Sequence, residues 1–267
     1  MEEKKIAFIG GGFMGEALMG GLIASGFSKP ELITVTDIRE DRLDYLKKRY
    51  KVNATTDNKK AAGENDIVLF AVKPQALPDI LEDVAPSIGP DTLVISIAAG
   101  VRISAIAGSV KVRIVRAMPN MCAQVGQSVT AVCGNPAVTE EDFSLVEKLF
   151  DSVGITVRVS EDKMDAVTAI SGSGPAYIFL IMEALMEAGV ESGLTLDQSR
   201  VLVEQTVKGA AVLAIKTKVH PAELKERIMS PQGTTVAALH VLEEAGLRGT
   251  IFSAVAAAYK RSKELGG

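Results

Sequence analysis

The succession of apolar runs along the first 160 residues constrains the fold more tightly than any single motif does. KIAFIG (5–10), LITVTD (32–37), DIVLFAV (66–72), TLVISIAA (92–99) and VRIVRAM (112–118) are apolar or β-branched and bounded by turn residues, the pattern of strands buried from both sides. Helical stretches lie between them, among them 15–26, stopped by Gly26, and the charged segment 40–50. Strands of this kind separated by helices build a parallel sheet covered on both faces and joined by right-handed crossovers. Two further strands, 128–134 and 155–160, bracket a helix at 140–153. Beyond residue 160 strand patterns cease, and helical stretches run 164–190, 195–219, 221–229, 234–245 and 248–265. The expected fold is α/β, with a parallel-sheet domain over 1–160 and an all-α domain over 161–267.

Composition narrows the setting. The chain has 267 residues, 47% of them hydrophobic, and a mean hydropathy of +0.23, enough for a large core and two modest domains. A net charge of −4 and a pI near 5.4 provide no broad basic surface, which argues against nucleic acid or an anionic membrane as partner. Cys122 and Cys133 lack metal-ligand spacing and read as reduced thiols of a cytoplasmic protein. Lys4 and Lys5 precede an apolar run, but Glu2, Glu3, the following glycines and Glu16 interrupt the pattern of a secretory leader. No apolar run is expected to approach the roughly 20 residues that span a bilayer, so the chain reads as soluble. The helices after 160 carry many apolar positions and few aromatics, so some of their faces are expected to pack against another subunit in a homodimer or larger assembly. A closed monomeric bundle is the alternative.

The first strand runs into Gly10, Gly11 and Gly12, with Gly15 beyond Phe13 and Met14. Gly10-x-Gly12-x-x-Gly15 is the dinucleotide-binding spacing, here with a strand before it, a helix after it and an acid at the end of the second strand. Gly10 permits the tight turn, Gly12 lets a pyrophosphate approach the backbone, and Gly15 lets the helix pack on the strand, whose neighbouring helix N-terminus offers free N–H groups. Asp37, about 20 residues beyond Gly15, is placed to accept from a ribose 2′-OH and favours NAD. Arg39 and Arg42 are near enough in sequence to bind a 2′-phosphate instead. The N-terminal domain is therefore expected to be of Rossmann type, and hydride transfer is the leading chemistry.

Ligands of open α/β sheets lie beyond the carboxyl ends of the strands. AVKPQ (Ala71, Val72, Lys73, Pro74), Ala98-Ala99-Gly100 and RAMPNM (Pro119, Asn120) would border one such crevice. In SGSGPAY, Gly172, Gly174 and Pro175 either bend a buried helix or, with Ser173, are the small residues that let nicotinamide and substrate approach the backbone. In SPQGTT, Ser230 and the backbone of Gly233, Thr234 and Thr235 offer donors at a helix N-terminus, which suits either a carboxylate or plain capping. His220, before Pro221, reads as a helix cap and His240 as a partly packed helix residue, neither as a proton donor. Met182 and Met186 read as packing residues.

Taken together, AVKPQ, RAMPNM, SGSGPAYIF (171–179) and SPQGTTVAALHVLEEAGLR (230–248) make the chain resemble the pyrroline-5-carboxylate reductases over nearly its whole length. The resemblance implies reduction of a cyclic imine to L-proline by NAD(P)H, a Rossmann domain, and a helical dimerisation domain whose dimers interlock and often form decamers. It also implies an active site between the domains, to which helices of both subunits contribute. Thr235 would contact the ring nitrogen. The family commonly carries a small polar residue, often Asn, where this chain has Asp37, so NADP(H) use is expected alongside NAD(H), with Arg39 retaining the phosphate. Gln232 stands where the family usually has Gly, a change that is harmless provided Gln232 adopts negative φ. A β-hydroxyacid dehydrogenase, another imine reductase and a non-catalytic dinucleotide-sensing oligomer are the competing readings. A protonated imine is already an electrophile, so the lack of a Ser–His–Asp or metal cluster is no objection.

Overall fold

The computed structural model describes residues 4–265; Glu2 and Glu3, used above against a secretory leader, lie outside the described residues. The strands are β1 (Ile6–Ile9), β2 (Ile33–Thr36), β3 (Asn53–Thr55), β4 (Ile67–Phe70), β5 (Leu93–Ser96), β6 (Arg113–Met118), β7 (Ser128–Gly134) and β8 (Gly154–Arg158). The helices among them are α1 (Phe13–Ala24), α2 (Glu40–Tyr50), α3 (Asn58–Gly63), α4 (Leu77–Val84), α5 (Ile103–Ser109) and α6 (Glu140–Asp151). They are followed by α7 (Met164–Val167), a π-helical segment (Thr168–Gly172), α8 (Gly174–Glu191), α9 (Leu196–Thr217), α10 (Pro221–Ile228), α11 (Thr234–Glu244) and α12 (Leu247–Leu265). The chain divides into two compact units. One runs as far as Ser173 and resumes at Ala258, and the other is Gly174–Ala257.

The first unit is built on one eight-stranded sheet of order β3-β2-β1-β4-β5-β6-β7-β8. Alternate residues of β1 point to opposite faces: Ile6 and Phe8 join Leu18, Leu22, Val35 and Phe150 in one buried cluster, while Ala7 and Ile9 join Phe70, Leu77, Leu81 and Ile106 in the other. Both faces are thus covered, which is why the strands read as apolar throughout. Pairing is parallel except between β6 and β7, which run antiparallel, with Arg116 opposite Cys133. The expected parallel sheet thus holds apart from this one pair, where a short connection through Met121–Val125 allows reversal while a crossover would need a dozen or more residues. Edge strand β3 was not foreseen; its residues, Asn53, Ala54 and Thr55, are partly or fully exposed and carry no apolar pattern. Helix α1 begins and ends two residues earlier than expected. It starts directly after Gly12 and closes through Ser25, whose N–H meets the Gly21 carbonyl, before Gly26 turns the chain at φ +72°.

In the second unit α8 and α9 pack closely. A Cβ on Gly189 would collide with the Ser199 hydroxyl, which instead donates to the Met186 carbonyl at 2.8 Å. Helix α9 opens with a capping box between Thr195 and Gln198. Within one protomer Ile178, Phe179, Leu180, Leu213 and Ile215 stand exposed, Leu180 at 67%. The helical passage Glu161–Glu191 is long and apolar enough to cross a membrane by length and composition alone. The sequence reading, which expected a helix over 164–190 but no apolar run of that length, is corrected on this point alone: averaged along the helix, small and polar residues such as Ser173 and Glu183 do not outweigh the apolar ones.

Candidate active site

Five strand ends of the first unit carry the residues singled out for the dinucleotide. After β1 the chain turns at Gly10, φ +108°, whose N–H donates to the Thr36 carbonyl at 3.0 Å. A Cβ on Gly10 would lie 2.7 Å from the Ala71 carbonyl oxygen and 2.9 Å from Val72 Cγ1. A Cβ on Gly15 would strike the Gly10 carbonyl. These two glycines are required by the protein's own close packing. At Gly12 the opposite holds: no protein atom lies within 4 Å of where its Cβ would be, which leaves the approach open on the side where phosphates would lie. Gly12 is also the N-cap of α1, and no side chain caps that end, so the first-turn N–H groups around Phe13 and Met14 are free to meet an anion.

Strands β1 and β4 are neighbours from which connections run in opposite directions, β1 towards β2 and β4 towards β5. This is the switch point at which such sheets bind ligands, and Ala71–Pro74 follow β4 there. Beyond β5, Ser96 Oγ accepts the Ala98 N–H at 3.3 Å and Gly100 turns at φ +79°, placing Ala98 and Ala99 on the same edge. Beyond β6, Asn120 is 8% exposed. Its side-chain carbonyl accepts from the Cys122 N–H and its amide donates to the Ser171 carbonyl, both at 3.1 Å. Asn120 thereby moors the π-helical segment to the strand end, and a Cβ on Gly172 would come within 2.7 Å of Met118 Cε. Ser173 follows that segment, its N–H held by the Thr168 carbonyl at 2.8 Å, and Gly174 and Pro175 open α8 in the second unit.

At the end of β2, Asp37 Oδ1 accepts the Arg39 N–H at 3.0 Å and lies 3.6 Å from Arg39 Nε. Arg39 is otherwise exposed. Arg42 corrects the sequence reading: its Nε donates to the Gly11 carbonyl at 2.6 Å and its guanidinium pairs with Glu16, so it is not free for a 2′-phosphate. Glu16 also accepts from the hydroxyls of Tyr45 and Tyr50. Burial pushes the Glu16 carboxyl up, but hydrogen bonds from Arg42 and Tyr50 and the Arg42 charge outweigh it and hold the group below its ordinary range. The signal missed was the shared face of α2, where Arg42, Tyr45 and Arg49 recur at helical spacing.

The SPQGTT segment belongs to the second unit. The Ser230 carbonyl accepts the Gly233 N–H at 2.9 Å, closing a turn with Pro231 second and Gln232 third. Gln232 has φ +60°, so the condition under which its replacement of Gly would be harmless is not met: the turn is of the kind with left-handed backbone at its third position, where Gly is favoured. Gly233 is the N-cap of α11 with no side-chain hydrogen bond, so neither Ser230 nor Thr234 caps that helix. Thr234 and Thr235 form its first turn. His220 does cap α10, its Nδ1 accepting the Ala222 N–H at 3.2 Å. His240 is 72% exposed beside Glu244 rather than packed. Burial, with the nearby Glu161 charge, pushes the free Cys133 thiol up to about 11. Among the described residues no cluster of three or more His, Cys, Asp or Glu could hold a metal.

The sheet, its open glycine turn and the acid beyond β2 define a Rossmann-type dinucleotide-dependent oxidoreductase. Residues 5–100 match the family model described as NADP oxidoreductase, coenzyme F420-dependent, and residues 161–265 match the model described as pyrroline-5-carboxylate reductase dimerisation. The chain is 43% identical to pyrroline-5-carboxylate reductase of Methanosarcina acetivorans over 100% of its length and 99% of that protein's. The structure of a pyrroline-5-carboxylate reductase from Coxiella burnetii superposes with a TM-score of 0.92 at 41% identity, covering 100% of both chains. That of Plasmodium falciparum pyrroline carboxylate reductase with NADP bound does so with a TM-score of 0.92 at 35% identity, again over 100% of both. The chain belongs to the pyrroline-5-carboxylate reductase family, and its C-terminal part is a dimerisation region.

Proposed function

We propose that the protein reduces the cyclic imine Δ1-pyrroline-5-carboxylate to L-proline, the last step of proline biosynthesis. The observation that carries this reading is the full-length likeness to reductases of that name, joined to a glycine turn that is open at Gly12 alone. NADPH or NADH, when bound, supplies the hydride. Gly10, Gly12, Phe13, Met14 and Gly15 would hold the pyrophosphate, Asp37 and Arg39 the adenosine ribose, and Ala71–Pro74, Ala98–Gly100, Pro119 and Asn120 the remaining crevice wall. Asp37 suits a free 2′-OH and Arg39 a phosphate, so both cofactors are accepted. The protonated imine accepts hydride at carbon while the proton stays on the ring nitrogen, so the chain's task is placement.

The uncapped start of α11 supports Ser230, Gly233, Thr234 and Thr235 as the carboxylate site, with Ser173, Gly174 and Pro175 lining the substrate and Thr235 meeting the ring nitrogen. We take 160/161 as the functional division, in keeping with a dimerisation match that begins at 161, although packing carries the first unit on to Ser173. The exposed apolar faces of α8 and α9 support an interlocked dimer, assembling further into decamers, and the cytoplasm suits the reduced cysteines.

Thr235→Ala should lower turnover on the imine about 10-fold or more, the cost of one well-placed hydrogen bond, with NAD(P)H affinity and melting temperature little changed. Thr235→Ser should recover part of the loss. Steady-state kinetics beside cofactor titration check this, and unaltered kinetics in the Ala variant would refute the role.

A further inference from the structure

Arg42 stands where a 2′-phosphate ligand would be sought, yet its polar contacts run the other way. Nε donates to the Gly11 carbonyl at 2.6 Å, the guanidinium meets Glu16 of α1, and its plane lies over the Tyr45 ring at 5.1 Å. Both partners of the ion pair are largely shielded, with side chains 17% and 20% exposed. Two tyrosine hydroxyls complete the carboxylate, Tyr50 at 2.9 Å and Tyr45 at 3.2 Å, and Arg49 Nε lies 3.8 Å away. On its other side Gly11 packs closely, since a Cβ there would lie 2.8 Å from Leu46 Cδ1 and 3.3 Å from Val35 Cγ2. The carbonyl that Arg42 grips belongs to the peptide linking Gly11 to Gly12. Its orientation fixes the Gly12 N–H and, through it, the direction of the uncapped turn that follows.

We propose that Arg42, held by Glu16, is a positioning residue for the pyrophosphate loop and takes no part in choosing between NADPH and NADH. The pair ties α2 to both ends of the loop, the Gly11 peptide and the first turn of α1, so the N–H groups are aimed before any ligand arrives. Selectivity is left to Asp37 and Arg39. This rests on the dinucleotide reading above, and direct binding by the unaltered protein tests that reading separately.

The experiment uses the full-length protein with three variants, Arg42→Met, Arg42→Lys and Glu16→Gln. Dissociation constants for NADH and NADPH are measured by fluorescence titration, and amide exchange is followed over the peptide containing residues 10–16. Arg42→Met should weaken both cofactors by about 10-fold, the scale of one lost charge-assisted hydrogen bond, keeping their ratio within about twofold. Exchange should quicken in the loop peptide and not in β4 or β5. Arg42→Lys and Glu16→Gln should give the same pattern at smaller size, so either decides the matter if the Met variant fails to fold. A loss confined to NADPH would make Arg42 a phosphate ligand and overturn the proposal, as would unchanged loop exchange. Failure of the unaltered protein to bind either cofactor would instead overturn the function proposed above.

Discussion

A single residue shows how a turn's demand can outrank a residue's preference. Gln232 sits at φ +60° in the third place of the turn that the Ser230–Gly233 hydrogen bond closes, a left-handed conformation that costs an L residue with a side chain about 1–2 kcal/mol. Gln232→Gly should relieve that strain and give part of the gain back through a more flexible unfolded chain. The expected net effect is a rise of about 1–3 °C in melting temperature at fixed protein concentration. Gln232→Val should lower it, because a branched Cβ tolerates positive φ worst. A melting temperature that moves in neither variant would show that the turn relaxes without cost. The sequence could show that Gln stands in place of Gly but not the sign of φ, because a proline in second place and the hydrogen bond across the turn are common to turns with either sign at the third position. Arg42 is a parallel case: its place near Asp37 was legible, its commitment to Gly11 and Glu16 was not, since those partners lie on other elements.

At the scale of elements, the strands and helices of the sheet were legible wherever their burial is uniform, as in IVLF of β4 and LVIS of β5, every residue of which is buried. Legibility failed where an element depends on a neighbour rather than on its own pattern. Edge strand β3 has only Asn53, Ala54 and Thr55 to declare it. The reversal of β7 has no trace in its apolar run, because burial pattern carries no direction. The π-helical segment Thr168–Gly172 shares its composition with ordinary helix and is marked by the Ser173 N–H reaching the Thr168 carbonyl five residues back, with the Asn120–Ser171 bond and the close fit of Gly172 against Met118 beside it. In α8 the apolar residues Phe179 and Leu180, 51% and 67% exposed in one protomer, belong to the dimerisation match. Leu180→Glu is expected to place a charge in that interface, which is costly when unpaired. Light scattering should then report a smaller species, with imine reduction falling alongside. A Glu variant that keeps both its assembly and its activity would remove α8 from the interface.

At the scale of the whole molecule, the chain leaves the first unit at Gly174 and re-enters it at Ala258, partway along α12. The re-entry is secured at Ser262, 3% exposed, whose hydroxyl donates to Asp165 at 2.6 Å. The helical unit is thus inserted into the first unit, with a covalent connection at each end. A single proteolytic nick near Ser230 should therefore yield two fragments that travel together under native conditions and part only on denaturation. Fragments that separate in native buffer would show that the α12 anchor is weak. The same path sets a schedule for biosynthesis. Domains near the N-terminus commonly fold as they emerge, at about 5–20 residues per second of synthesis, but here the nucleotide-binding unit stays incomplete on the ribosome until the segment around Ser262 has cleared the exit tunnel. All eight strands precede the helical unit, so it is Asp165 that waits unpartnered for seconds while that unit passes through, and a chain stalled within that interval would present an unfinished unit to chaperones.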